Sequence, residues 1–170
     1  WIAVFERLLD PGPAHLSTAD GLRIHGAQLI ALLFRQPDNP RMAEAAQKVE
    51  LLLAAPDIET VPVNDRVNAA SILFNYFNWK TKGNSADALI ARVEPWLQDP
   101  EVSAVHRVWW QVHRAFNEQL RGHYARSQRI MTETEEFAAA HGLKWVQVEI
   151  YHAEVTALVC AAPNHWHAPA

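Results

Sequence analysis

The feature that most constrains this chain is a phrase written twice. Residues 92–102 read RVEPWLQDPEV, and residues 48–58, 44 positions earlier, read KVELLLAAPDI. Valine, glutamate, leucine and proline recur in place, while lysine answers arginine, aspartate answers glutamate and isoleucine answers valine. A third copy, VFERLLDP, occupies residues 4–11. Glu6, Glu50 and Glu94, and likewise Leu9, Leu53 and Leu97, keep steps of 44, and Pro11, Pro56 and Pro100 close the copies. TEEFAAAHGL (134–143) is a fainter echo. A second phrase alternates with the first: FNWKTKGNSADA (77–88) is answered by FNEQLRGHYARS (116–127), 39 residues on. A period of this size marks stacked supersecondary units, each of which buries its apolar face only against the next.

Between these marks the apolar residues follow a helical period. Ala70, Leu73 and Phe77 stand at i, i+3 and i+7. Trp109, Val112 and Phe116, then Val148, Tyr151 and Val155, repeat that pattern at steps of 39, and Leu29 and Leu33 stand 44 before Leu73 and Phe77. Prolines and glycines fall between the periodic stretches, at DPGP, QPDNP, VPVND and QDP. The pattern predicts helices over about 1–9, 18–36, 41–54, 65–81, 85–98, 103–120, 123–140 and 143–161. The fold class is all-α: a right-handed solenoid of antiparallel helix pairs with 39–44 residues per repeat. Residues 1–162 form one helical-repeat domain and 163–170 an irregular tail. The first and last helices read as half-repeats of a longer array, whose open ends would permit self-association. Gly83 and Gly122 are expected as left-handed helix ends. Ala88 and Ser127, five residues later, are expected at close helix contacts, and Pro95, in the last turn of its helix, is expected to kink it or end it early. The predicted core columns hold Leu53, Leu73, Phe77, Leu97, Trp109, Val112, Phe116 and Tyr151.

Charge and composition narrow the partners. A net charge of -4 and a pI near 6.1 argue against a general nucleic-acid binder. The single cysteine, Cys160, excludes an intrachain disulfide and fits a reducing, cytoplasmic setting. No apolar run is long enough for a membrane-spanning helix.

Catalytic chemistry finds little support in the residues. Of nine histidines, His106 and His113 lie two turns apart on one predicted helix, and His165 and His167 form an HxH in the tail. A zinc site needs three or four convergent ligands, so no metal site and no cofactor is expected. Glu133, Glu135 and Glu136 share one helical segment facing water, whereas acid–base pairs need a pocket that separates their pKa values. No GxSxG, HExxH, CxxC or GxxxxGK[ST] pattern occurs. The chain is therefore read as non-enzymatic, with an enzyme using its histidine and carboxylate clusters as the rival.

The binding candidates lie on the first helix of each pair. Arg107, Arg114 and Arg121 are seven apart and share a helix face opposite the Trp109–Val112–Phe116 stripe. Asn68, Asn75 and Lys82 occupy the same columns 39 residues earlier. Trp110, off the apolar column, is a candidate anchor beside the arginines. If that face is concave, it is a basic groove for an acidic peptide or a small anionic effector. The competing reading is a solvated face, with Arg114 paired to Glu118 at i+4.

The layout resembles tetratricopeptide-like repeats. The stretch GHYARSQRIMTETEEFAAAHGLKWVQVEIYHAEVTAL (122–158) is similar to the helical-repeat region of large bacterial ATP-dependent regulators of the MalT and LuxR-related type. The resemblance covers roughly residues 66–160 and rests on a glycine before the second helix, a small residue five later, alanines near that helix's end and a further glycine. The period departs from the tetratricopeptide value of about 34, and the position four before the glycine, aromatic in the strict pattern, is Trp79 in one repeat and Glu118 in the next. The resemblance implies a non-catalytic module of a signalling or transcription regulator that binds a protein or small effector and makes no direct nucleic-acid contact. A free-standing scaffold or adaptor is the alternative.

Overall fold

A computed structural model describes residues 16–80 and 83–145. Among these the chain is all-helical, with six α-helices: α1 (Thr18–Arg35), α2 (Arg41–Leu53), α3 (Val63–Trp79), α4 (Gly83–Val93), α5 (Ala104–Leu120) and α6 (Tyr124–Ala140). Single-turn 3₁₀ helices follow α2 at Ile58–Thr60 and α4 at Trp96–Gln98. The predicted helices match these within two residues, except that α4 ends at Val93, ahead of the 98 expected. The predicted helix over 1–9, Tyr151 and the tail lie outside the described residues, and residues 143–145, where a last helix was expected to begin, are not helical. The chain divides into two compact units, one up to His106 and one from Arg107.

In the first unit, local chemistry sets the helix ends. Ser17 caps α1: its hydroxyl accepts from the Asp20 amide at 3.1 Å, satisfying an otherwise orphaned first-turn donor, and donates to the Asp20 carboxylate at 2.7 Å. Pro40 and Pro62 stand just before α2 and α3, where a missing N–H costs nothing. Pro95 separates α4 from the 3₁₀ turn at Trp96, so the helix stops at Val93 as expected. Gly83 opens α4 instead of closing α3, which ends at Trp79. That shift puts Ala86 at the buried fourth helical position and leaves Ala88 exposed, against the expectation for Ala88.

The repeated phrase is a repeated burial pattern. Val49 and Val93 are both fully buried, Leu53 and Leu97 are buried at the next matching position, and Glu50 and Glu94 face solvent. The first helices match likewise: Leu29 and Leu73, then Leu33 and Phe77, are buried. Helices α1 and α2 run antiparallel, because Gly21 near the start of α1 meets Leu52 at the end of α2. A Cβ on Gly21 would stand 3.0 Å from Leu52 Cδ1, so the glycine permits a closer approach than alanine would. Gly26 faces Ile72 of α3. Only Asn68 and Trp79 of the 17 residues of α3 are exposed; α1, α2 and α4 all pack against it.

In the second unit, Val108, Val112 and Ala115 of α5 pack against Met131 and Ala138 of α6, with Ile130, Phe137 and Leu143 at the margin. Both helices end in the same motif. Gly122 at φ +79° lets His123 donate to the Glu118 carbonyl at 2.8 Å and Gly122 itself to Gln119 at 2.9 Å. Gly142 at φ +71° repeats this with Leu143 to Ala138 at 2.9 Å and Gly142 to Ala139 at 3.1 Å. These are the crossed bonds of a left-handed C-cap. Ser127 is buried as expected. Of the predicted core column on α5, only Val112 is buried. Trp109 and Phe116 are partly exposed, while Trp110 is fully buried. Trp110 lies about 200° around the helix from Val108, so α5 buries two faces and no single stripe describes it.

Phe77→Ala should lower stability by about 3–5 kcal/mol in urea unfolding, as expected for emptying a buried aromatic site. A loss below about 1 kcal/mol would show that Phe77 is not in the core.

Candidate functional site

Polar side chains in the first unit bond to partners about one repeat away. Thr18 Oγ1 donates to the Asp57 carboxylate at 2.8–2.9 Å, a separation of 39 residues. Arg23 bonds Asp65 through Nη2 at 2.6 Å and Nε at 3.1 Å, 42 residues apart. Asn64 uses both ends of its amide: Nδ2 donates to the Glu101 carbonyl at 2.9 Å, and Oδ1 accepts from the Ser103 amide at 2.9 Å, 39 residues away. Ser103 in turn caps α5, with its hydroxyl 2.7 Å from His106 Nδ1 and accepting from the His106 amide at 3.4 Å. The contacts 18 with 57, 23 with 65 and 26 with 72 advance together, so α1 and α3 lie side by side and parallel.

The most built of these contacts is a three-residue cluster. Arg66 of α3 is 7% exposed and its Nη1 is ion-paired with Glu59 on the 3₁₀ turn. Its guanidinium lies over the Trp96 ring at 5.1 Å. Trp96 Nε1 donates to the other Glu59 oxygen at 3.2 Å. One carboxylate thus holds both a buried cation and the indole that the cation stacks on, a cation–π contact with its charge compensated. The cluster is a clamp: it ties the 3₁₀ turn at Ile58–Thr60, α3 and the 3₁₀ turn at Trp96–Gln98 to one another.

The residues predicted to form a basic groove fare unequally. Asn68 is exposed on α3. Asn75 is buried, because α3 is covered on several sides, so it does not line an open face. Lys82 lies outside the described residues. Arg107 and Arg114 are partly buried and Arg121 is exposed. Trp110 is wholly buried and cannot serve as a surface anchor; large apolar side chains that are exposed include Phe34, Leu51, Trp79, Leu120 and Tyr124. Glu118, the departure from an aromatic position, is a buried carboxylate. His123 Nδ1 bonds it at 2.8 Å and Arg126 Nε lies 3.4 Å from its other oxygen. Residues across the turn thus supply partners for Glu118. Among the described residues no three His, Cys, Asp or Glu side chains converge on a metal position, and no helix is long and apolar enough to cross a membrane.

Three histidines sit where charging is disfavoured. Burial lowers the pKa of His25, hydrogen-bonded to Gln28, and that of His106. Burial also lowers His113, stacked on Trp109 at 5.7 Å, to about 4. Each folded-state value lies below the ordinary 6.5, so the unfolded chain binds more protons in that window. Stability therefore falls as pH drops below about 6.5, and the His113 part of the loss is complete only below about pH 4.

An NMR titration should give His113 a midpoint near pH 4; a midpoint at or above 6.5 would contradict its burial. Glu59→Ala should cost about 1–3 kcal/mol by stranding the Arg66 guanidinium, and Arg66→Met should cost less, since it removes the buried charge and keeps apolar bulk over Trp96. Equal costs in urea unfolding would argue against the clamp. The chain matches no protein-family model, no curated protein and no solved structure.

Proposed function

We propose that this chain is a non-catalytic helical-repeat module of a bacterial signalling or transcription regulator, binding a protein or a small anionic effector. In this reading the helix pairs continue as a right-handed, tetratricopeptide-like solenoid. The observation that carries it is the coincidence of two periods: the sequence repeats at 39–44 residues, and side-chain bonds in the first unit join residues 37–42 apart. A chain whose units bond mainly to their nearest neighbours is built as an array, and arrays present extended surfaces suited to binding. Among the described residues the polar clusters at Asp57, Asp65, Asn64 and Glu59 bond to neighbouring elements, which suits a binding scaffold. The regulator assignment rests on the resemblance of residues 122–158.

Sequencing the gene on both sides of this reading frame tests the regulator assignment. A glycine-rich nucleotide-binding loop on the N-terminal side and a helix-turn-helix on the C-terminal side are expected. A catalytic domain on either side would overturn it.

A further inference from the structure

The corner between α5 and α6 gathers positive charge on an acidic protein. Residues 118–130 contain one carboxylate, Glu118, and three arginines, a net of +2 in a chain whose total is -4. Glu118 is buried, whereas Arg121, His123, Arg126 and Arg129 are exposed. Arg126 and Arg129 lie near the N-terminus of α6, while Glu133, Glu135 and Glu136 lie in its C-terminal half. That order is the reverse of what the helix macrodipole favours. Arg129 forms no ion pair among the described residues, although Glu133 is four positions on, the spacing at which a helix pairs opposite charges. Two large apolar side chains share the corner: Leu120 is 46% exposed and Tyr124 50% exposed.

We infer that this corner docks an acidic peptide segment carrying an apolar side chain, with Arg129 meeting a carboxylate and Leu120 and Tyr124 its apolar residue. The inference rests on the binding-module reading and moves the cationic surface from the stripe through Arg107 and Arg114 to this turn. The apolar pair selects among anions. A free phosphate has no use for Leu120 and Tyr124, and a polynucleotide would meet an acidic protein with a basic footprint of one corner. Exposed aromatic and arginine side chains together are the usual makings of an interface anchor.

The test uses the full 170-residue chain and a fluorescein-labelled peptide of alternating Glu and Leu, followed by anisotropy at low and physiological salt. Binding that weakens with salt is expected. Arg129→Glu and Tyr124→Ala, which leave the Glu118 contacts in place, should each weaken it about tenfold with unchanged circular dichroism. An all-Glu peptide should bind more weakly, and inorganic phosphate at the same ionic strength should not displace the peptide. Absence of binding at low salt, unaltered affinity in both variants, equal affinity for the all-Glu peptide, displacement by phosphate, or tighter binding of a single-stranded RNA would each overturn the inference. None of these outcomes bears on the flanking domains, so the regulator reading stands or falls separately.

Discussion

Helix α3 has almost no solvent face, and the first unit is arranged around that fact. Two exposed residues in 17 leave it covered by α1, α2 and α4. Removing Leu73, Phe74 and Phe77 from water is a favourable term of several kcal/mol, but that term is available only if the neighbouring helices are in place. A single helix pair could not supply them. The repeated phrase therefore exists because each unit needs the same apolar positions presented to it by the next: Val49 and Val93, Leu53 and Leu97, Leu29 and Leu73.

Apolar packing alone does not fix how far one repeat slides along the next. The polar contacts do. Asn64 reads the backbone at Glu101 and Ser103, Thr18 reads Asp57, and Glu59 ties Arg66 to Trp96. Each joins residues 37–39 apart, and each loses geometry if the register shifts by a helical turn. Ser103 links this to local structure, since the same residue that accepts the Asn64 latch also caps α5. The histidines placed in partly buried positions add a pH sensitivity that such packing brings with it.

Much of this was legible in the sequence. The six helices of the described residues and most of their boundaries followed from the apolar period and from Pro40, Pro62, Pro95, Gly122 and Gly142. The core columns at Leu53, Leu73, Phe77, Leu97 and Val112 were readable because matching residues recur one repeat apart. The errors share a cause. Asn75 and Trp110 were assigned to an open face by their distance from one apolar stripe, but helices buried on more than one side have no single stripe. Ala88 was misplaced because the helix that holds it begins at Gly83, whereas α6 begins two residues after its glycine. The clamp at Glu59, Arg66 and Trp96 was not readable at all. Its members belong to different elements, and their contact depends on knowing that neighbouring repeats are stacked in parallel.

The central claim is that α1 lies antiparallel to α2 and parallel to α3, in a register that the close approaches at two glycines report. Methyl NOE spectroscopy on the chain reads that arrangement directly. The account predicts cross-peaks from the Gly21 α-protons to the Leu52 δ-methyls and from the Gly26 α-protons to the Ile72 δ1-methyl, because those side chains stand where a glycine Cβ would meet them at 3.0 and 3.6 Å. Absence of both, with the helices intact by chemical shift, would show that the repeats do not stack in this register.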